Sequence, residues 1–212
     1  SQGKDFAIDN CEMLTPIYGT KAESIMSRLF CESNIYVKDM LNAILALCRG
    51  EWKVEYISCI IHTIKDFTRA VGNAVPESNR KKGIDPVEFN VAFANAVAPL
   101  KSGVPALSGA GCPIFFLIDS MIGRQEWGSI MGKDLQLTKH YMPKNWRRFL
   151  EYVRQKKLYK YVPSDFEYLW VLLKDSYCGD RGWLGRHKYR AYQFIELAKN
   201  LGRTSNKGSA TG

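Results

Sequence analysis

Residues 52–74 read WKVEYISCIIHTIKDFTRAVGNA. The apolar positions Tyr56, Ile57, Ile60, Ile61, Ile64, Phe67 and Val71 recur at three and four rather than at two. That spacing places them on one face of a 3.6-residue helix. The same rhythm runs outward in both directions. On the N-terminal side, Ile35–Cys48 carries Met40, Leu41, Ile44 and Leu47, and Arg49-Gly50 stops it, since glycine accepts the left-handed conformation that ends a helix. Lys21–Cys31 is a separate helix before it. On the other side, the polar loop ESNRKKG (77–83) leads to Asp85-Pro86, a cap followed by a proline at the first helical position, and this helix runs towards Val97. Further helices are predicted at Pro113–Ile122, Trp127–Tyr141, Pro143–Lys156, Pro163–Tyr177 (with Ser164 as N-cap) and Trp183–Leu201. The expectation is one all-α domain over residues 1–212, of eight or nine helices, with flexible termini at 1–15 and 203–212.

With 212 residues, 46% of them hydrophobic, the chain can bury a core without a disulfide or metal staple. A charged fraction of 24% and an aromatic fraction of 12% exclude a disordered chain. The six cysteines, at 11, 31, 48, 59, 112 and 178, form no C-x-x-C motif and read as reduced thiols of a cytoplasmic protein. The opening SQGKDFAIDN is polar, without a hydrophobic leader. The longest apolar run, Cys112–Ile118, stops at Asp119 and is too short to cross a bilayer, so no membrane partner is expected. Thirty Lys and Arg against 21 Asp and Glu leave a formal charge of +9, which suits acidic partners in general: nucleic acid, an anionic surface or an anionic cofactor. The basic runs are Arg80-Lys81-Lys82, Arg147-Arg148, and Arg154 with Lys156 and Lys157. Each reads as a solvated face or loop, no recognised DNA-reading motif accompanies them, and no nucleic-acid partner is assigned.

Three histidines are present, His62, His140 and His187. His62 reads as an edge residue of its helix and His140 as a helix-end residue before Pro143. His187 stands inside the helical stripe Leu184, His187, Ala191, Phe194, Ile195 and Ala198, with Arg186, Lys188 and Arg190 around it. A histidine in that position is ordinarily a satisfied core residue, and a ligand role is the alternative. No H-E-x-x-H motif or Cys/His cluster supports zinc, and no G-x-S-x-G elbow supports a serine hydrolase. Ser108-Gly109-Ala110-Gly111 resembles a phosphate loop but follows no strand and precedes no Lys-Ser/Thr. A single imidazole does suit haem, whose macrocycle supplies four nitrogens and leaves the protein one axial position to fill.

The segment SGAGCPIFFLIDSMIG (108–123), followed by KHYMPKNWRRFLEYVRQ (139–155), resembles the core of the indoleamine 2,3-dioxygenase superfamily. The final GRHKYRAYQFIELAKNLGR (185–203) with the tail KGSATG (207–212) is similar to that family's proximal-histidine helix and terminal loop. The spacing lies nearest the pyrrolnitrin-pathway, tryptophan-rearranging branch, and the resemblance covers roughly residues 85–212. It implies haem b with iron on His187, a pocket wall over Ser108–Gly111 that includes Gly109, a distal aromatic at Phe89 and a supporting acid at Asp119. Asp119, interrupting an apolar helix, is expected to accept a hydrogen bond from His187 or to pair with a nearby arginine. The sequence departs from the family in two places. The helix after Pro86 has no arginine to clamp an amino-acid carboxylate, and Leu184 stands where a basic residue is expected, which leaves Arg186 or Arg190 to meet a haem propionate. The implied activity is a haem-dependent mono- or dioxygenase using O2 on an indole or other small aromatic substrate. The alternatives are a haem-binding or sensor protein of the same fold without turnover and a basic helical module on nucleic acid; homo-oligomerisation stays open.

Overall fold

The computed structural model describes residues 19–74, 84–85, 113–124 and 139–200. Among them every regular element is a helix and there is no strand, so the protein is all-α there. The expected helices at 86–97 and 127–138, the loops at 77–83 and 101–112, and both termini lie outside the described residues.

Helix α1 spans Lys21–Cys48 without interruption, where the sequence reading expected two helices. The intervening Glu32-Ser33-Asn34 contains neither proline nor glycine, so nothing there breaks the hydrogen-bond ladder. Its start is fixed by a reciprocal cap. Thr20 Oγ1 accepts the Glu23 amide at 3.2 Å, and Glu23 Oε2 accepts the Gly19 amide at 2.9 Å. Its end comes at Gly50, with φ at +85°, where the Glu51 amide returns to the Ala46 carbonyl at 3.0 Å. Helix α2 is Val54–Ala74 and α3 is Pro113–Ile122. A single 3-10 turn at Lys139–Tyr141 stands at the end of the helix expected over Trp127–Tyr141. Helix α4, Lys144–Lys156, starts after Pro143 and ends on Lys157 in the left-handed conformation. Leu158–Lys160 forms another 3-10 turn.

The helix expected from Pro163 is split. Ser164–Phe166 is a 3-10 turn closed by the Phe166 amide on the Pro163 carbonyl at 2.9 Å, and α5 runs from Glu167 to Cys178. Ser164 is therefore not the cap of α5, and its hydroxyl faces Asp165 Oδ1 at 3.5 Å. Helix α6 is Trp183–Asn200.

The chain divides into two compact units. The first takes Ser1–Lys38, His62–Ala94 and Asp175–Asn206. Within it Ile64, Phe67, Tyr177 and Trp183 are buried, and the Phe67 and Trp183 rings meet at 6.3 Å. The second takes Asp39–Ile61, Asn95–Lys174 and Lys207–Gly212. Its α3 packs against α4 and against the turn at Leu158, burying Leu117, Ile118, Met121, Leu150, Val153 and Leu158. Trp52 lies against both Phe166 and Trp170, with ring centroids 5.9 and 5.7 Å away.

Candidate functional site

His187 lies one turn into α6, four residues after Trp183, so the two side chains share a helix face. The imidazole stacks on the indole with centroids 5.2 Å apart and planes 21° from parallel. Trp183 is itself buried and packed on Phe67, so the first unit holds a ladder of three rings, Phe67, Trp183 and His187. His187 is exposed and so is not the satisfied core residue that its apolar stripe suggests, yet the protein packed around the ring disfavours the charged form and holds its pKa below the ordinary 6.5. The ring is neutral at neutral pH. Among the described residues no side chain or carbonyl hydrogen-bonds to either of its nitrogens.

Around it, Arg186 is exposed and its Nε donates to the Arg181 carbonyl at 2.9 Å, folding the guanidinium back towards the loop before α6. Arg190 is half-buried on the next turn, and Lys188 Nζ lies 5.9 Å over the Tyr192 ring. Leu184 is half-buried, while the side chains of Ala191, Phe194, Ile195 and Ala198 lie outside the described ones. His62 and His140 are both exposed.

In the second unit, Asp119 is 3% exposed on α3. Of the two partners anticipated for it, an arginine is observed: Arg124 Nη1 stands 3.2 Å from Oδ1. The pairing depends on the helix end. Gly123, at φ +81°, turns the chain so that the Arg124 amide reaches the Asp119 carbonyl at 2.8 Å and its guanidinium reaches the Asp119 carboxylate. Lys139 lies over the Phe116 ring at 5.1 Å. Burial, then repulsion from Arg154, lowers its pKa, against attraction from Asp119 and Glu151. Asp119 is thus a buried carboxylate in the field of two cations.

Phe89, Ser108 and Gly109 lie outside the described residues. Among the described residues no group of three or more His, Cys, Asp or Glu is placed to hold a metal ion, and no helix is long and apolar enough to cross a membrane. A haem ligand needs no such group, because one imidazole suffices. Trp183 was overlooked as a site residue; its signal was the W-x-x-x-H spacing, which puts an aromatic face beside the histidine. No protein-family model, curated protein or solved structure matches the chain significantly.

Proposed function

We propose that the chain is a haem-dependent oxygenase of the indoleamine dioxygenase-like fold, with His187 as the axial ligand and a small aromatic compound as substrate. The observation that supports this reading is the condition of His187: held towards its neutral form, stacked on Trp183 and, among the described residues, with no protein hydrogen bond to either nitrogen. An axial imidazole must offer a lone pair rather than a proton, and desolvation keeps that lone pair available. Trp183, fixed by Phe67, limits rotation of the ring about its side-chain bonds. Haem, when bound, supplies the oxygen chemistry, and the protein supplies position and polarity.

Arg186 and Arg190, on the same helix as the ligand, are the cations for the propionates. Asp119 and Arg124 form a fixed charge pair that supports the second unit. Phe89, Ser108 and Gly109 carry the substrate wall in this reading, on the strength of the resemblance. The alternative, haem binding without turnover, is favoured by the absence of arginine from residues 86–97.

Reconstitution with haemin, followed by an absorption spectrum, tests the ligand. The wild-type chain is expected to give a histidine-ligated Soret band, and His187→Ala to lose it or recover it only with added imidazole. A histidine-ligated spectrum unchanged in His187→Ala would move the ligand to His62 or His140. Product formation from an indole with O2 and reductant then separates oxygenase from sensor.

A further inference from the structure

The stretch from Lys144 to Tyr161 contains seven cations and one acid, so it holds most of the chain's positive excess. We propose that the exposed face of α4, with the turn that follows it, binds single-stranded nucleic acid through its phosphates. Lys144, Arg147, Arg148, Lys156 and Lys157 are all exposed. The single acid, Glu151, is already engaged: Arg154 donates to its two oxygens at 2.7 and 2.9 Å, and Gln155 donates at 2.9 Å. Neither Arg147 nor Arg148 forms an ion pair among the described residues. An open depression of about 450 Å³ runs beside Lys144, Arg147, Arg148, Tyr152, Gln155 and the already engaged Glu151.

The shape of this surface selects among anions. The cations follow a helix of 13 residues, roughly 20 Å at 1.5 Å per residue, rather than converging on one point. That geometry suits a repeating charge and not a lone phosphate. A lipid surface calls for a broad apolar face beside the cations. On α4 Leu150 and Val153 are buried, and the half-buried Trp146 and Phe149 rings, 6.4 Å apart, are the one apolar pair left there, so vesicles are a necessary arm of the test. A folded protein partner calls for an apolar centre to its interface, and this face has only that half-buried pair. What it does offer is aromatic surface between charges: Tyr161 is 68% exposed, and Tyr152 is half-buried beneath Lys156 at 5.1 Å. Unstacked bases use such rings, while phosphates use the cations, without reading sequence.

The test is fluorescence anisotropy of a labelled mixed-sequence DNA strand of about 16 nucleotides, titrated with the full chain at several salt concentrations. Binding is expected to weaken linearly in log–log form as salt rises. Arg147→Gln with Arg148→Gln should weaken it about tenfold at low salt and reduce the slope by about 1.4, the share of two phosphate contacts. Lys65→Gln with Arg69→Gln changes the net charge equally on the exposed side of α2 and should keep the wild-type slope. Should the first pair disturb α4 by circular dichroism, Lys156→Gln with Lys157→Gln replaces it. The proposal is overturned if the strand is not bound at low salt, or if the α2 pair loses as much as the α4 pair. It is overturned equally if polyglutamate of matched length, or phosphatidylserine vesicles, bind as tightly as the strand.

Discussion

Removing the Trp183 indole takes away the ring on which His187 stacks and part of the crowding that keeps the histidine neutral. Trp183→Ala should therefore raise the His187 pKa back towards 6.5, measured by the imidazole proton shifts in an NMR titration. A titration that does not move would show that the crowding comes from elsewhere on the chain. The sign for stability follows from the lowered value. Just below pH 6.5 the unfolded chain binds a proton at this position that the folded ring refuses. Folded stability is accordingly full above 6.5 and falls as the pH drops towards the folded pKa. Cys48 behaves in the opposite sense. Burial pushes its thiol up to about 11, against the attraction of Lys156, so it stays protonated and unreactive at neutral pH. That is what a cysteine used as a small apolar side chain requires, whereas Cys31 and Cys178 are exposed.

Two helices end on a left-handed glycine, and the comparison between them isolates one contact. Gly50 and Gly123 have φ of +85° and +81°, but a Cβ at Gly50 would meet nothing within 4 Å, while one at Gly123 would lie 2.6 Å from the Tyr159 ring. Both alanine substitutions carry the backbone penalty of about 1–2 kcal/mol. Gly123→Ala must also push Tyr159 off the end of α3 and loosen the turn that returns Arg124 to Asp119. It should cost roughly 1–3 kcal/mol more than Gly50→Ala in chemical denaturation. Equal losses would mean that Tyr159 moves aside freely. Of these devices the sequence made only some legible. Gly50, Pro113 and Pro143 act on the backbone next to them, so those boundaries were readable. The pattern Thr20-Lys21-Ala22-Glu23 was equally local and was overlooked. The continuity of α1 was missed because polar Glu32-Ser33-Asn34 resembles a loop in composition while lacking any residue that breaks a helix. In the candidate site, the sequence singles out His187 as the polar interruption of an apolar stripe. Its side chain is exposed, however, and those of Ala191, Phe194, Ile195 and Ala198 lie outside the described ones, so what sets it apart in the structure is the Trp183 ring. Arg124 was harder to assign, because its side chain reaches Asp119 only after a left-handed turn that no periodicity describes.

At the scale of the whole molecule, the +9 charge separates into two readings that respond differently to solution conditions. Binding of a polyanion along α4 weakens with salt by counterion release, whereas an axial bond to His187 depends chiefly on keeping that imidazole unprotonated. Thermal stability distinguishes them without any assay of turnover. A ligand that binds only the folded chain stabilises it by about 2.7 kcal/mol when present at a hundredfold excess over its Kd. In a domain of this size each kcal/mol raises Tm by roughly 2–4 °C. Haemin at that excess should then raise the unfolding midpoint by roughly 5–10 °C in the wild-type chain. The shift should persist at high salt, because the bond to iron is not screened as an exposed charge pair is. His187→Ala should lose most of it, since in the proposed reading only apolar surface and the cations Arg186 and Arg190 are then left to hold the haem. The oligonucleotide should give a smaller shift that salt abolishes and that His187→Ala leaves intact. If haemin stabilised the wild-type and His187→Ala chains equally, its uptake would be non-specific adsorption to apolar surface, and the assignment of His187 would fall even if both samples were coloured.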